Sequence, residues 1–347
     1  MLATPNQLNY RFPAEWEKHE ATWLSWPHNQ DTWPGKIDQI LSSYAKFIEV
    51  LSNCELVRIN VNNAAMQAKA SEILTNHGLD LGRIEFYNHT TNDAWCRDHG
   101  PSFLINETAD SKKVIVNWEY NAWGGKYPPF EQDNQIPSKI AESLGLPIFN
   151  AGIVMEGGSV DFNGDGTLIT TTSCLLNKNR NPRLNKEEIE QKLIDYYGVK
   201  QILWLNEGIE GDDTDGHIDD ITRFINKNTV VSVVEHNAND LNYNALNENI
   251  KELQKMKLED GSSINIVELP MPSPVIYNNQ RLPASYANFY ICNDYVIVPT
   301  FNDKMDDKAL DIIQGCFDSK EVIGINSVDI IWGLGSFHCL SQQEPEI

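Results

Sequence analysis

The apolar pattern of this chain switches between alternation and helical spacing about five times, which narrows its architecture more than any other feature. Ser42–Ser52 has apolar residues at helical spacing, and Cys54–Asn60 alternates like a half-buried strand. Ala65–His77 reads as a helix stopped by Gly78, and Arg83–Tyr87 as the next strand. Further strands are predicted at Lys113–Trp118, Thr167–Thr171, Thr229–Val234, Phe289–Ile291, Tyr295–Pro299 and Glu321–Ile325. Helices are predicted at Lys186–Tyr197, Asn244–Met256 and Asp306–Cys316. This order predicts an α/β fold. No long linker, low-complexity tract or charge block interrupts it, so a single domain over residues 1–347 is expected. Strict sequence repeats are absent, so any internal symmetry must be structural.

Composition bounds the partners. With 49 acids against 27 bases the net charge is −22, which argues against nucleic acid or an anionic membrane and suits a small cationic ligand. No apolar run approaches the ~20 residues of a membrane span. The N-terminus has neither a basic head nor an apolar core, so a cytoplasmic protein is expected. The six cysteines form no CxxC pair, which suggests neither a zinc ribbon nor a disulfide scaffold. A homo-oligomer is left open.

Chemistry concentrates in Gly211–Phe224, where Asp212, Asp213, Asp215, Asp219 and Asp220 crowd His217. Carboxylates this dense need water or a cation among them: a metal ion, an arginine or a cationic substrate. His217 and Asp219 fall on one side of an extended chain, and a histidine beside a carboxylate can act as general acid and base. A metal site is the weaker reading, since no HxxxH pair supplies further ligands. In Thr91–Pro101, Asp93, Trp95, Arg97 and Asp98 either grip a cationic head group or pin the loop with an internal Arg97–Asp pair. Asp161, Asn163, Asp165 and Gly166 open like a calcium loop, but Thr172 stands where its bidentate glutamate belongs, so a hairpin is predicted. Just upstream, Gly157 and Gly158 would let backbone approach a ligand beside Glu156. Cys339 lies close to the chain end. A nucleophilic cysteine needs a nearby positive charge, and His338 would face the opposite side of an extended chain.

Taken together, the stretches Arg11–Asn29, Asn92–Pro101, Glu156–Thr167, Asp212–Asp220, Ser285–Phe301 and Phe337–Pro345 resemble, in order, the agmatine deiminase and bacterial peptidyl-arginine deiminase family of the guanidine-modifying superfamily. The resemblance implies a five-bladed pseudo-symmetric α/β propeller with its site on the central axis. It implies Cys339 as nucleophile, His217 as general acid and base, and Asp98 and Asp219 as guanidinium ligands. Trp95 and Glu156 would line the pocket, and Asp213 would meet a distal amine or orient His217. No metal or organic cofactor is implied. Agmatine deiminases usually approach the cysteine through a glycine run and an asparagine. This chain has Gly333-Leu334-Gly335-Ser336-Phe337-His338-Cys339, so Ser336 and Phe337 are expected to alter the pocket rim.

The resulting expectation is a hydrolase that deiminates a small guanidine, foremost agmatine, through a covalent thiouronium. Peptidyl or free arginine is the alternative substrate, with Arg180, Arg183 and Arg281 available to meet a carboxylate. A metal-dependent hydrolase and an acidic binding module are the rivals from other classes.

Overall fold

The computed structural model describes residues 3–347. Its strands form five sheets of three or four strands, with a small hairpin of Ile276–Tyr277 and Gln280–Arg281 beside them. The large sheets share one plan. A first strand pairs antiparallel with a second, a helix crosses over, and a third strand pairs parallel with the second. Ser102–Ile105, Lys113–Glu119, helix Ile136–Leu144 and Ile148–Val154 make one such unit. Val160–Phe162, Thr167–Thr171, helix Lys186–Tyr197 and Gln201–Leu205 make the next. Thr222–Asn226, Thr229–Val234, helix Tyr243–Lys255 and Asn265–Pro270 follow, and then Tyr290–Ile291, Tyr295–Thr300, helix Asp306–Gln314 and Glu321–Asn326. The crossover helix is what a parallel pair requires, because a tight turn cannot reverse the chain twice.

The remaining sheet joins the two ends of the chain. His19–Ser25 pairs parallel with Leu56–Asn60 across helix Ile37–Cys54, and Ile84–Tyr87 extends the edge after helix Ala64–Asn76. Its first strand is Ser341–Pro345, antiparallel to His19–Ser25. Buried Glu344 secures that closure. It accepts bonds from Trp23 Nε1 and Lys113 Nζ, each at 2.8 Å, and pairs with Arg58. The first strands of some neighbouring sheets touch, Ser341–Pro345 against Ser102–Ile105 and Val160–Phe162 against Thr222–Asn226.

Local chemistry explains the helix ends. Asn185 and Glu188 form a reciprocal capping box at the start of Lys186–Tyr197, and Gly198 ends it at φ 70°. A Cβ there would also meet the Tyr10 carbonyl at 2.2 Å. Helix Ile37–Cys54 buries Ile40, Leu41, Tyr44, Phe47, Ile48 and Leu51 on one face, the spacing that identified it. The hairpin predicted in place of a calcium loop is present, with Asn163 Oδ1 accepting from the amides of Asp165 and Thr167 at 2.9 Å. Among the described residues, no helix is long and apolar enough to cross a membrane.

Candidate active site

Five segments converge, each just ahead of the first strand of its own sheet. Asp98 lies in the short helix Cys96–His99, before Ser102–Ile105. Glu156 and Gly158 flank the start of the turn Gly157–Ser159, before Val160–Phe162. His217 and Asp219 sit at the turn Ile218–Asp220, before Thr222–Asn226. Asn288 precedes Tyr290–Ile291, and Cys339 precedes Ser341–Pro345.

Gly158 shows how tightly they meet. A Cβ on it would lie 2.6 Å from His217 Nδ1, 2.8 Å from Asp98 Oδ1 and 3.0 Å from Asp219 Oδ2. Only glycine leaves room for three side chains there, and its amide also donates to Asp98 Oδ1 at 3.0 Å. The other Asp98 oxygen accepts from Trp123 Nε1 at 2.9 Å. Trp123 follows Ala122 with both residues at positive φ, 54° and 53°, a conformation costly for side chains of this size. The sulfur of Cys339 lies 3.6 Å from Asp219 Oδ2 and accepts from Asn288 Nδ2 at 3.0 Å. His217 stands 3.7 Å from Asp98 and 3.8 Å from Glu156, and Glu156 accepts from Arg180 Nε at 2.9 Å. Both ring nitrogens of His217 and Oδ1 of Asp219 are buried without a protein partner. A buried polar atom left unpaired costs about 1–3 kcal/mol, so these atoms call for a polar ligand.

The protonation states follow from burial and neighbours. Burial pushes Asp98 up to about 6, with Asp219 and Glu156 adding to the push and His217 opposing it. Burial works against charge on Asp219 too, but the bond from His338 and the charges of His338 and His217 hold its carboxyl below the usual range. Glu156 is likewise lowered, since His217 and Arg180 outweigh its burial. Burial pulls His217 down, yet Asp98, Cys174 and Glu156 raise it well above an ordinary histidine. Burial, followed by the charges of Asp219, Asp220 and Asp98, drives the Cys339 thiol well above its normal value. The site therefore combines a protonated thiol and an imidazolium with buried carboxylates, of which Asp219 has one oxygen without a partner. That oxygen can accept from a cationic or neutral donor.

Other residues singled out in the sequence lie around this cluster. Asp213 is outside this buried cluster. Its side chain is 43% exposed, pairs with Lys126 at 3.2 Å and is bonded by Tyr127. Asp93 accepts from Thr32, Asn29 and the Ala94 amide, so it fastens a loop. Trp95 is buried, tilted against Trp33 at 5.2 Å, with its ring over Gly335 beside Cys339. The internal pair suggested for Arg97 joins it to Glu15 at 3.5 Å rather than to an aspartate.

Several residues around the site escape the sequence reading. His338 and Cys339 lie in a turn rather than an extended chain, and the His338 ring is engaged elsewhere, its Nδ1 2.7 Å from Asp219 and its Nε2 2.9 Å from Glu15. Glu15 is also held by Arg223 at 2.9 Å. Asn288, Trp123 and Cys174 gave no signal of charge or spacing, although Asn288 stands within a quoted motif. Two groups among the described residues bring three metal-capable side chains within 4.8 Å: Glu156, Cys174 and His217, and Cys54, Glu55 and Cys292. In the first, the Arg180 guanidinium on Glu156 opposes a dication.

A model of the Porphyromonas-type peptidyl-arginine deiminase family matches residues 11–345. The chain belongs to this family. An agmatine deiminase of Pseudomonas syringae pv. tomato is 35% identical over 368 positions, which cover 99% of this chain and 97% of the relative. The structure of the agmatine deiminase of Enterococcus faecalis superposes with a TM-score of 0.93 at 34% identity, covering 100% and 98% of the two chains. An amidinotransferase from Microseira wollei, 12% identical with a TM-score of 0.55 over 96% of each chain, shares the fold alone, the α/β pentein type. In this member of the peptidyl-arginine deiminase family, the unusual approach to the cysteine does not reshape the rim as expected. Phe337 is fully buried against Phe47 at 4.9 Å, and the hydroxyl of Ser336 bonds Ser327 at 2.6 Å.

Proposed function

We propose that this protein is a hydrolase that deiminates agmatine to N-carbamoylputrescine and ammonia, with Cys339 as the covalent nucleophile. The observation that carries the reading is the Cys339 sulfur 3.6 Å from Asp219, in a cluster where Asp98 and His217 meet the same glycine. Asp98 and Asp219 hold the planar guanidinium, which fixes the direction of attack on its carbon. The bound cation lowers the Cys339 pKa and favours the thiolate. Sulfur adds to the guanidinium carbon, His217 gives a proton to one nitrogen, and the C–N bond breaks to release ammonia. His217 then takes a proton from water, whose oxygen attacks the same carbon. The C–S bond breaks, and a ureido product and free Cys339 remain.

Agmatine is favoured over free arginine because two of the three arginines considered for a carboxylate are engaged. Arg180 serves Glu156 and Asp215, and Arg281 pairs with Asp240 at 2.7 Å. The overall charge of −22 suits a dication. We infer further that the five sheets are blades of one catalytic propeller. The common strand order, the contacts between first strands and the five converging segments support that arrangement. Trp95 and Glu156 line the pocket in this reading, and Asp213 stands further out.

The test is ammonia release from agmatine, free arginine, blocked arginine amide and an arginine peptide, beside Cys339→Ala. Agmatine should be turned over fastest and the variant should be inactive. Activity surviving in Cys339→Ala ends the covalent mechanism, and faster release from the peptide ends the agmatine assignment.

A further inference from the structure

Cys54 and Cys292 form a second thiol site, separate from Cys339. Cys54 closes helix Ile37–Cys54, and Cys292 ends the short strand Tyr290–Ile291 at its turn toward Tyr295–Thr300. The two sulfurs and a Glu55 carboxylate oxygen all lie within 4.8 Å of one another. Cys292 is buried and Cys54 is partly exposed, so Cys54 is the member of the pair nearer solvent.

The surroundings decide what this site takes. Glu55 has little capacity left for a metal. One oxygen accepts from Thr22 and faces His19 Nδ1 at 3.4 Å, and the other accepts from the Asn293 amide at 3.0 Å. Lys320 donates to the carbonyls of Cys292 and Asn293, each at 2.7 Å, which fixes an ammonium beside the pair. A fixed cation opposes a divalent metal and works against the nearby Glu55 carboxylate, whose charge disfavours thiolate on both sulfurs.

We propose that Cys54 and Cys292 are a peroxide-reactive dithiol that closes reversibly to a disulfide, joining the helix of the first sheet to the hairpin of the fifth. The Cys54 thiolate attacks one oxygen of a hydroperoxide. The S–O bond forms, the O–O bond breaks, and an alcohol or water leaves after protonation. The sulfur of Cys292 then attacks the Cys54 sulfenic acid. The S–S bond forms, the S–O bond breaks, and hydroxide departs as water with the Cys292 proton. Two thiols are oxidised by two electrons and one peroxide is reduced. The neighbours assign the roles in that order. The neighbouring Cys292 thiol lowers the pKa of Cys54 against its burial, and burial holds Cys292 well above the usual thiol range.

The experiment treats the native full-length protein with hydrogen peroxide, both as wild type and as Cys339→Ser, which removes the proposed nucleophile. Free thiols are counted, and peptides are mapped without reductant. The expected result is loss of two thiols in Cys339→Ser protein, a Cys54–Cys292 linked peptide in both proteins, and recovery of the thiols with dithiothreitol. Cys54→Ser should retain Cys292 as a free thiol and keep its ammonia-releasing activity under reducing conditions. The proposal is overturned if both cysteines stay separately alkylatable after peroxide. It is equally overturned if Cys54 passes to sulfinic acid without linking, or if the link forms only after unfolding in urea. None of these readouts depends on which guanidine is the substrate.

Discussion

His338 Nδ1 lies 2.7 Å from Asp219 Oδ2, so the residue beside the proposed nucleophile grips the carboxylate proposed to hold the guanidinium. Its other nitrogen reaches Glu15 at 2.9 Å. His338 thus fixes where Asp219 points, with both ring nitrogens engaged by carboxylates rather than by the Cys339 sulfur. His338→Ala should leave Cys339 reactive but let Asp219 turn. A hydrogen bond to a charged group is worth about 1.5–3 kcal/mol, so kcat/KM should fall about 10- to 100-fold. The fall should appear mainly as a raised KM for agmatine in steady-state ammonia release. An unchanged KM would remove His338 from substrate positioning.

Asp98 gives a pH-dependent stability prediction. Its carboxyl is pushed from 3.8 up to about 6, so between those values the folded chain keeps a proton that the unfolded chain has lost. The contribution of this group to stability therefore falls as pH rises through that window, and the full penalty is present above it. Asp98→Asn should be inactive yet more resistant to heat at pH 8, by on the order of 1–3 kcal/mol. That advantage should shrink as pH drops below about 6. Thermal unfolding of both proteins across pH checks the sign.

Cys339 should be a thiol in the free protein and shift toward thiolate once a cation arrives. An opposite charge within about 4–6 Å typically lowers a pKa by 1–3 units. An unreactive guanidine should therefore increase thiolate absorbance in wild type and not in Cys339→Ser. Full thiolate absorbance at neutral pH without ligand would contradict the charge balance described for the site.

Glu344 should matter for stability beyond its place near the chain end. Glu344→Ala removes the buried carboxylate shared by Arg58 and Lys113, which keep only the more exposed Glu20 and Glu85, and losing hydrogen bonds to charged groups costs on the order of 1–3 kcal/mol. Urea unfolding should show a loss of that size, whereas Glu346→Ala, whose partner Lys18 is largely exposed, should change little.

The sequence reveals four of the second strands and most crossover helices because their apolar faces follow one period, but helix Ile136–Leu144 and strand His19–Ser25 are missed. Helix Lys186–Tyr197 has the predicted bounds, and Lys113–Glu119 differs from prediction by one residue. The third strands Ile148–Val154, Gln201–Leu205 and Asn265–Pro270 are missed. Their flanking positions are exposed and their apolar runs short. Ser341–Pro345 is missed for a different reason. Gln342, Gln343 and Glu344 look like a solvated tail but are buried against cations and neighbouring strands. The charged half of the site is legible because aspartates crowd a histidine. Glu15, Asn288 and Trp123 act through long-range contacts that no local spacing records.

The closing strand also orders events during synthesis. Trp23 and Glu344 bond across 321 positions of chain, so the first sheet lacks its edge until the segment carrying Cys339 has emerged. The other four sheets draw all their strands from contiguous stretches and can pair while translation continues. The Cys339 sulfur therefore enters its acidic surroundings in the same step that completes the first sheet. A nascent chain stalled before that step has neither a finished first sheet nor the proposed nucleophile in place.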